Sequence, residues 1–155
     1  MTDHIKPEFL DVINYAICRA ANEEFGEMTK DFFRKVGEHH LDEAVKRGFV
    51  SLNPDEKPLD NLIGIARYLE STGYMKRISI EKLSDAEAVV EMHGVSVTKS
   101  SVDILRGGMH PSHYMTNIMI AALRRLGTQA ELKDVSFNEE QSRFKEHWRI
   151  LGVPE

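Results

Sequence analysis

The apolar residues of this chain change their spacing near its middle, and that switch restricts the fold more than any other feature. In the first half they recur every three to four positions, the period of a helix with one buried face. Phe9, Ile13, Ala16, Ile17 and Ala20 form such a stripe between Pro7 and about Phe25. Pro7 suits a first helical turn and Gly26 a stop. The same spacing predicts a second helix over residues 27–47, closed by Gly48, and a third over 59–71, where Leu59, Leu62, Ile63, Ala66 and Leu69 share a face. Between those two, "SLNPDEKP" reads as a loop, because prolines and an Asn-Pro pair break both periods.

The second half alternates instead. In "MKRISIEKL", Ile78 and Ile80 take turns with polar residues, as in a half-buried strand. "AVVEMHGVSVTKSS" is rich in β-branched residues and reads as one or two strands. A fourth helix interrupts at "RGGMHPSHYMTNIMIAALRRLG". "AELKDVSFN" and "SRFKEHWRIL" then close the chain as strands, with Phe144, Trp148 and Ile150 at even spacing. Segments 75–83, 86–97, 130–137 and 144–150 are expected to pair in one sheet. The expected class is α+β: a helical N-terminal half packed on a mainly antiparallel sheet of about four to five strands, with a further helix inserted between strands. The chain shows no repeat or linker, and 155 residues make one domain.

Charge narrows the partners. A formal net charge of −5 disfavours non-specific binding to nucleic acid or an anionic membrane, and Arg124-Arg125 is too small a basic patch to reverse that. No apolar run approaches the roughly 20 residues that cross a bilayer, and "MTDHIKPEFLDV" has acids where a signal peptide has its apolar core. Cys18 is the only cysteine, which excludes an internal disulfide or a thiolate-rich metal site. It falls off the main apolar stripe of its helix, so partial exposure is expected. A cytoplasmic protein with no membrane span follows from these features.

From about residue 59 to 151 the layout resembles the vinyl-4-reductase-type small-molecule-binding domain, whose fold is shared with TRAPP-complex trafficking subunits. The resemblance is carried by "YLESTGYMKRISIEKL" and the short strands after it, by the helix start "GGMHPSHYMTNIMIAALRRLG", and by "AELKDVSF" and "EHWRIL". It implies an apolar cavity between helices and sheet, a homodimer, and binding or sensing in preference to catalysis. Members of that family often carry zinc-binding cysteines at the fourth-helix start and in the closing hairpin. Ser112, His113, Ser136 and His147 stand in those regions here, so no metal is carried over.

The candidate site residues are few. Gly107 and Gly108 before a helix offer backbone amides to an anion, but the stretch lacks the rest of a phosphate loop and reads as turn punctuation. Pro111 is expected in the first helical turn, capped by His110 or a neighbour. His110 and His113 have the spacing of a two-ligand site, yet a zinc site usually needs three or four protein ligands and His113 falls opposite the apolar face of Met115, Ile118, Met119 and Ala122. His40 differs: Phe33, Val36 and Ala44 surround its angular position, which puts an imidazole inside the apolar stripe. The predicted ligand-binding set is His40, Phe33 and Val36 from the second helix with Met115 and Met119 from the fourth. The expected ligand is an apolar small molecule. No catalytic pair or cofactor motif appears, so the cofactor is left unassigned. A TRAPP-like scaffold and an enzyme using His40 are the alternatives.

Overall fold

The computed structural model describes residues 4–152. Five α-helices and four strands follow one another as α1 (Pro7–Phe25), α2 (Thr29–Lys46), α3 (Pro58–Ser71), β1 (Arg77–Lys82), β2 (Glu87–His93), α4 (Thr98–Arg106), α5 (Tyr114–Arg125), β3 (Gln129–Asn138) and β4 (Arg143–Leu151). The strands form one antiparallel sheet in the order β1-β2-β4-β3. This is the expected α+β arrangement with a helical N-terminal half. Among the described residues no helix is long and apolar enough to cross a membrane.

The breaks between helices have local causes. Gly26 ends α1 with φ +52, a conformation that costs a β-carbon-free residue little. Thr29 then starts α2 while fully buried, its hydroxyl donating to Gly26 O at 2.7 Å and Ala21 O at 3.1 Å. Pro58 opens α3, and Asn61 on its first turn holds the preceding loop through Asn53.

One face of the sheet is the floor of the main core. Ala88, Val90 and Met92 of β2 face the helices and lie opposite Trp148, Glu146 and Phe144 of β4. On β3 the register slips between Leu132 and Asp134, so the inward parity passes from Leu132 to Val135 and Phe137. The helices cover this floor with Leu59, Leu62 and Ile65 of α3 and Ile118, Met119 and Ala122 of α5, all fully buried. α2 then lies against α5 so closely that Gly37 touches the α5 backbone at Asn117. Outside this contact Arg124 donates to Glu38 at 3.0 Å and Arg125 pairs with Asp42. A smaller cluster of Cys18, Ala21, Phe33 and Ile104 joins α1, α2 and α4.

Three expectations need correction. The β-branched segment "AVVEMHGVSVTKSS" is expected to be strand throughout, but its last residues, 98–101, open α4. Gly94, at φ +62, takes the chain out of the sheet, and Ser100 and Ile104 bury against α1. The helix at the "HPSH" stretch begins later than expected: Pro111 is buried ahead of it and α5 starts at Tyr114. Most informative is α1, which is inside out. Its buried positions are Asn14, Cys18 and Ala21, whereas Phe9 is 57 % exposed and Val12 67 %. Cys18, expected near the surface, is fully buried, and burial raises its thiol pKa.

Candidate functional site

The segment between α4 and α5 is held by two asparagines of α1. Asn22 binds the His110 backbone twice, accepting from its N–H and donating to its carbonyl, each at 2.9 Å. Asn14, 2 % exposed, donates to Ser100 Oγ and accepts from Ser112 Oγ, each at 2.7 Å. This clamp explains why α1 turns a polar line inward: the asparagines supply what an irregular buried segment needs. It also fixes His113, which sits in the left-handed region at φ 45 immediately before α5. Asn117 completes the hold by donating from its side chain to Ser112 O at 2.8 Å. A non-glycine residue held there costs about 1–2 kcal/mol, and such outliers mark places where the surroundings over-determine the backbone.

His113 stands between two concavities. On the outside is a groove of about 360 Å³ between α2 and the start of α5, lined by Lys30, Phe33 and Arg34 and by Met109, His110 and Asn117. On the inside is a pocket of about 40 Å³ against the sheet, walled by Tyr74, Met92, Val97, Met115, Phe144 and Glu146. His113 and Thr116 line both. The imidazole keeps accessible surface, yet the walls that crowd it, and secondarily the Lys30 charge, hold its pKa below the ordinary value.

Glu146 is the residue that distinguishes the inner pocket. It lies on the core face of β4, 3 % exposed, between Val90 of β2 and Val135 of β3. Thr116 Oγ1 donates to its Oε2 at 2.8 Å and the Trp148 indole N–H to its Oε1 at 3.3 Å. No Lys or Arg is among the residues that line the pocket. Burial raises the carboxyl pKa, and the two donors offset only part of that. Nearby, the Tyr74 hydroxyl is buried without a hydrogen-bond partner, and burial pushes its pKa far above the usual phenol range. A carboxyl without a counter-charge and an unmet hydroxyl on one small pocket are unusual in a packed interior.

The predicted residues are distributed differently. Phe33 lines the outer groove and Met115 the inner pocket. Met119 is fully buried in the main core, and Val36 packs on the smaller cluster. Neither borders the two concavities. His40 is half-buried, with its Nε2 2.9 Å from Tyr68 Oη on α3 and its ring edge-on to that phenol. Its hydrogen bond therefore runs to α3. Burial lowers the His40 pKa. Glu146 escaped the sequence reading although the signal was present: the even spacing that aligns Phe144, Trp148 and Ile150 also aligns residue 146. A single acid interrupting an apolar strand face was the clue. Among the described residues no three His, Cys, Asp or Glu side chains converge as a metal site would require.

No family model matches this chain, and no curated protein matches it. Solved structures do. A mutant of the T. tengcongensis H-NOX superposes with a TM-score of 0.58 at 12% identity, over 99% of this chain and 78% of that one. A Cs H-NOX mutant carrying 4-cyano-L-phenylalanine gives 0.59 at 12% identity, over 97% and 76%. A structure titled for the function of heme distortion in the H-NOX family gives 0.54 at 13% identity, over 86% and 69%. The chain therefore shares the fold of H-NOX domains, and at this identity the likeness extends to the fold alone.

The residues present do not fit a haem. A haem needs an axial side chain beside a slot that takes the macrocycle. Here the layer between helices and sheet is filled by Leu41, Leu62, Ile65, Met119 and Trp148 at 1 % exposure or less. The pocket beside it holds only about 40 Å³. His40 is engaged by Tyr68, while His110 and His113 border the outer groove.

Proposed function

We propose that this chain is a small-molecule-binding sensory domain, the role the vinyl-4-reductase-type resemblance implies, with its ligand in the inner pocket of Glu146. The observation that carries this reading is a carboxyl 97% removed from solvent, without a counter-charge, on a pocket that also holds an unpaired hydroxyl. An interior built for stability alone gains nothing from such a pair, because an unmet hydroxyl costs about 1–3 kcal/mol and a buried carboxyl without a counter-charge adds its own desolvation cost. Met92, Met115, Val97 and Phe144 supply an apolar lining, and the polar atoms orient what enters. The fold shared with H-NOX domains, one of them titled for its heme, is consistent with ligand binding and prescribes no ligand.

The test is methyl NMR on methionine-labelled protein with a library of small fragments. Shifts concentrated at Met92 and Met115, with Met28 and Met75 unchanged, support the pocket. Shifts spread over surface methionines alone would remove it.

A homodimer belongs to the same reading, and the exposed α1 stripe supports it. Two copies of α1 packed antiparallel would set Phe9 of one over Ala20 of the other and cover the exposed Phe9, Val12 and Ile13 of both. That pairing covers the apolar surface a TRAPP-like scaffold would offer to other proteins. Sedimentation should show a dimer that Val12→Glu converts to monomer; a wild-type monomer at high micromolar concentration would refute it. The setting proposed is cytoplasmic, in keeping with the free thiol of Cys18.

A further inference from the structure

We propose that the inner pocket selects a short aliphatic amine, bound as its ammonium, with the Glu146 carboxylate as counter-charge and the Tyr74 hydroxyl as a second acceptor. This rests on the small-molecule reading of the same pocket and names the chemistry of its ligand.

The argument starts from what the pocket lacks. The elements around Glu146 bring Val90 and Met92 from β2, Val135 from β3, and Met115 and Thr116 from α5, none of them cationic. The titratable neighbours lining the pocket are Tyr74, Tyr114 and His113. Crowding favours the neutral form of each: the Tyr114 phenol is pushed up to about 12 and His113 is held low. An anion would find no positive partner there. A cation would find the one missing element.

An ammonium carries three donors and no acceptor. The polar atoms on the pocket wall offer the complement. Each Glu146 oxygen accepts one bond from the protein and keeps a free lone pair. The Tyr74 oxygen has no partner at all. Ser101 and Thr116 add hydroxyl oxygens to the same wall. Around these groups the surface is thioether and aromatic: Met92, Met115, Phe144 and the tyrosine rings suit a cation and its short alkyl chain. Size sets the length. A volume of about 40 Å³ holds roughly three to four water-sized groups, which is the size of propylamine, nitrogen included, or smaller. Burial also favours the neutral Glu146 carboxyl, so the arriving amine takes its proton and the two are held as an ion pair, which a neutral alcohol of that shape cannot form.

The test uses the whole chain and three probes at pH 8, with ionic strength matched by sodium chloride: n-propylamine hydrochloride, n-propanol and tetramethylammonium chloride. Binding is read from methyl shifts of Met92 and Met115 and from saturable change in Tm. Propylamine should bind at least tenfold more tightly than propanol, and tetramethylammonium, which has no N–H donor, should not bind. Glu146→Gln should weaken propylamine at least tenfold and leave propanol unchanged. Tyr74→Phe keeps the ring and packing, so it serves as a second variant whose fold is secure; it too should weaken propylamine and spare propanol. Equal affinity for amine and alcohol, or propylamine binding indifferent to both substitutions, would overturn the amine assignment while leaving a small-molecule pocket in place. Failure of all three probes to shift Met92 or Met115 would overturn the pocket reading and this assignment together.

Discussion

Replacing Gly37 by alanine tests the contact that sets the width of the outer groove. A β-carbon on Gly37 would stand 2.6 Å from both the carbonyl carbon and the oxygen of Asn117, and 2.8 Å from its Cβ. These are backbone atoms of α5 or sit directly on that backbone, so no side-chain rotation relieves the clash. The helices would have to part by roughly an ångström, a strain that overpacking studies place at about 1–3 kcal/mol. The upper end applies, because α5 is pinned on its other side by the sheet and at its start by the Asn117 bond to Ser112 O. Helix propensity works the other way, since alanine is favoured over glycine by about 1 kcal/mol. The net expectation is a loss of about 2 kcal/mol, which for a domain of this size lowers Tm by roughly 4–8 °C. Gly64→Ala supplies the control. Gly64 lies inside α3 with nothing within 4 Å of its β-carbon position, so only the propensity gain applies there. Urea titration with an unchanged m-value separates the two variants. If Gly37→Ala proves as stable as the parent while Gly64→Ala is stabilised, α2 and α5 do not meet as described and the geometry of the groove is wrong.

Glu146 gives a pH signature. Its pKa is raised in the folded state, so the stability it contributes is fully present below about pH 4.5 and lost as pH rises through the folded value; Glu146→Gln should flatten that limb of a Tm-against-pH curve. His40 is opposite in sign. Its folded pKa is lowered, so its contribution is present above about pH 6.5 and lost as pH falls. His40→Ala should cost roughly 1–3 kcal/mol through the lost Tyr68 bond, remove that acidic slope, and leave fragment shifts at Met92 and Met115 untouched. Asn14→Ala should cost about 1–3 kcal/mol by leaving the buried Ser112 hydroxyl without its acceptor and removing a donor to Ser100, and amide exchange at His110 and Ser112 should quicken. Protection unchanged at those amides would show that the α1 clamp does not hold the segment before α5.

The chain's own periods determined its class. A helical spacing that gives way to alternation, with Pro7, Gly26 and Gly48 at the changes, leaves little besides helices packed on an antiparallel sheet. Residues 77–82, 87–93, 129–138 and 143–151 pair as the alternation required. Periodicity states which residues share a face; it does not state what covers that face. The α1 stripe of Phe9, Ile13, Ala16, Ile17 and Ala20 looked like a core face, but the segment before α5 needed polar partners, and the asparagines took the inward side. The parity of residue 146 was legible in the same way, whereas its isolation from every cation depended on which side chains β2, β3 and α5 brought beside it. α4 was hidden because Val95 and Val97 continue a strand-like composition past Gly94, and only packing against α1 selects a helix there. Local sequence sets backbone preference within about one turn or one strand pair. Burial and electrostatic isolation are sums over neighbours distant in sequence, and in this protein those sums were settled by the way α3 and α5 close over the sheet and α1 packs on α2 and α4.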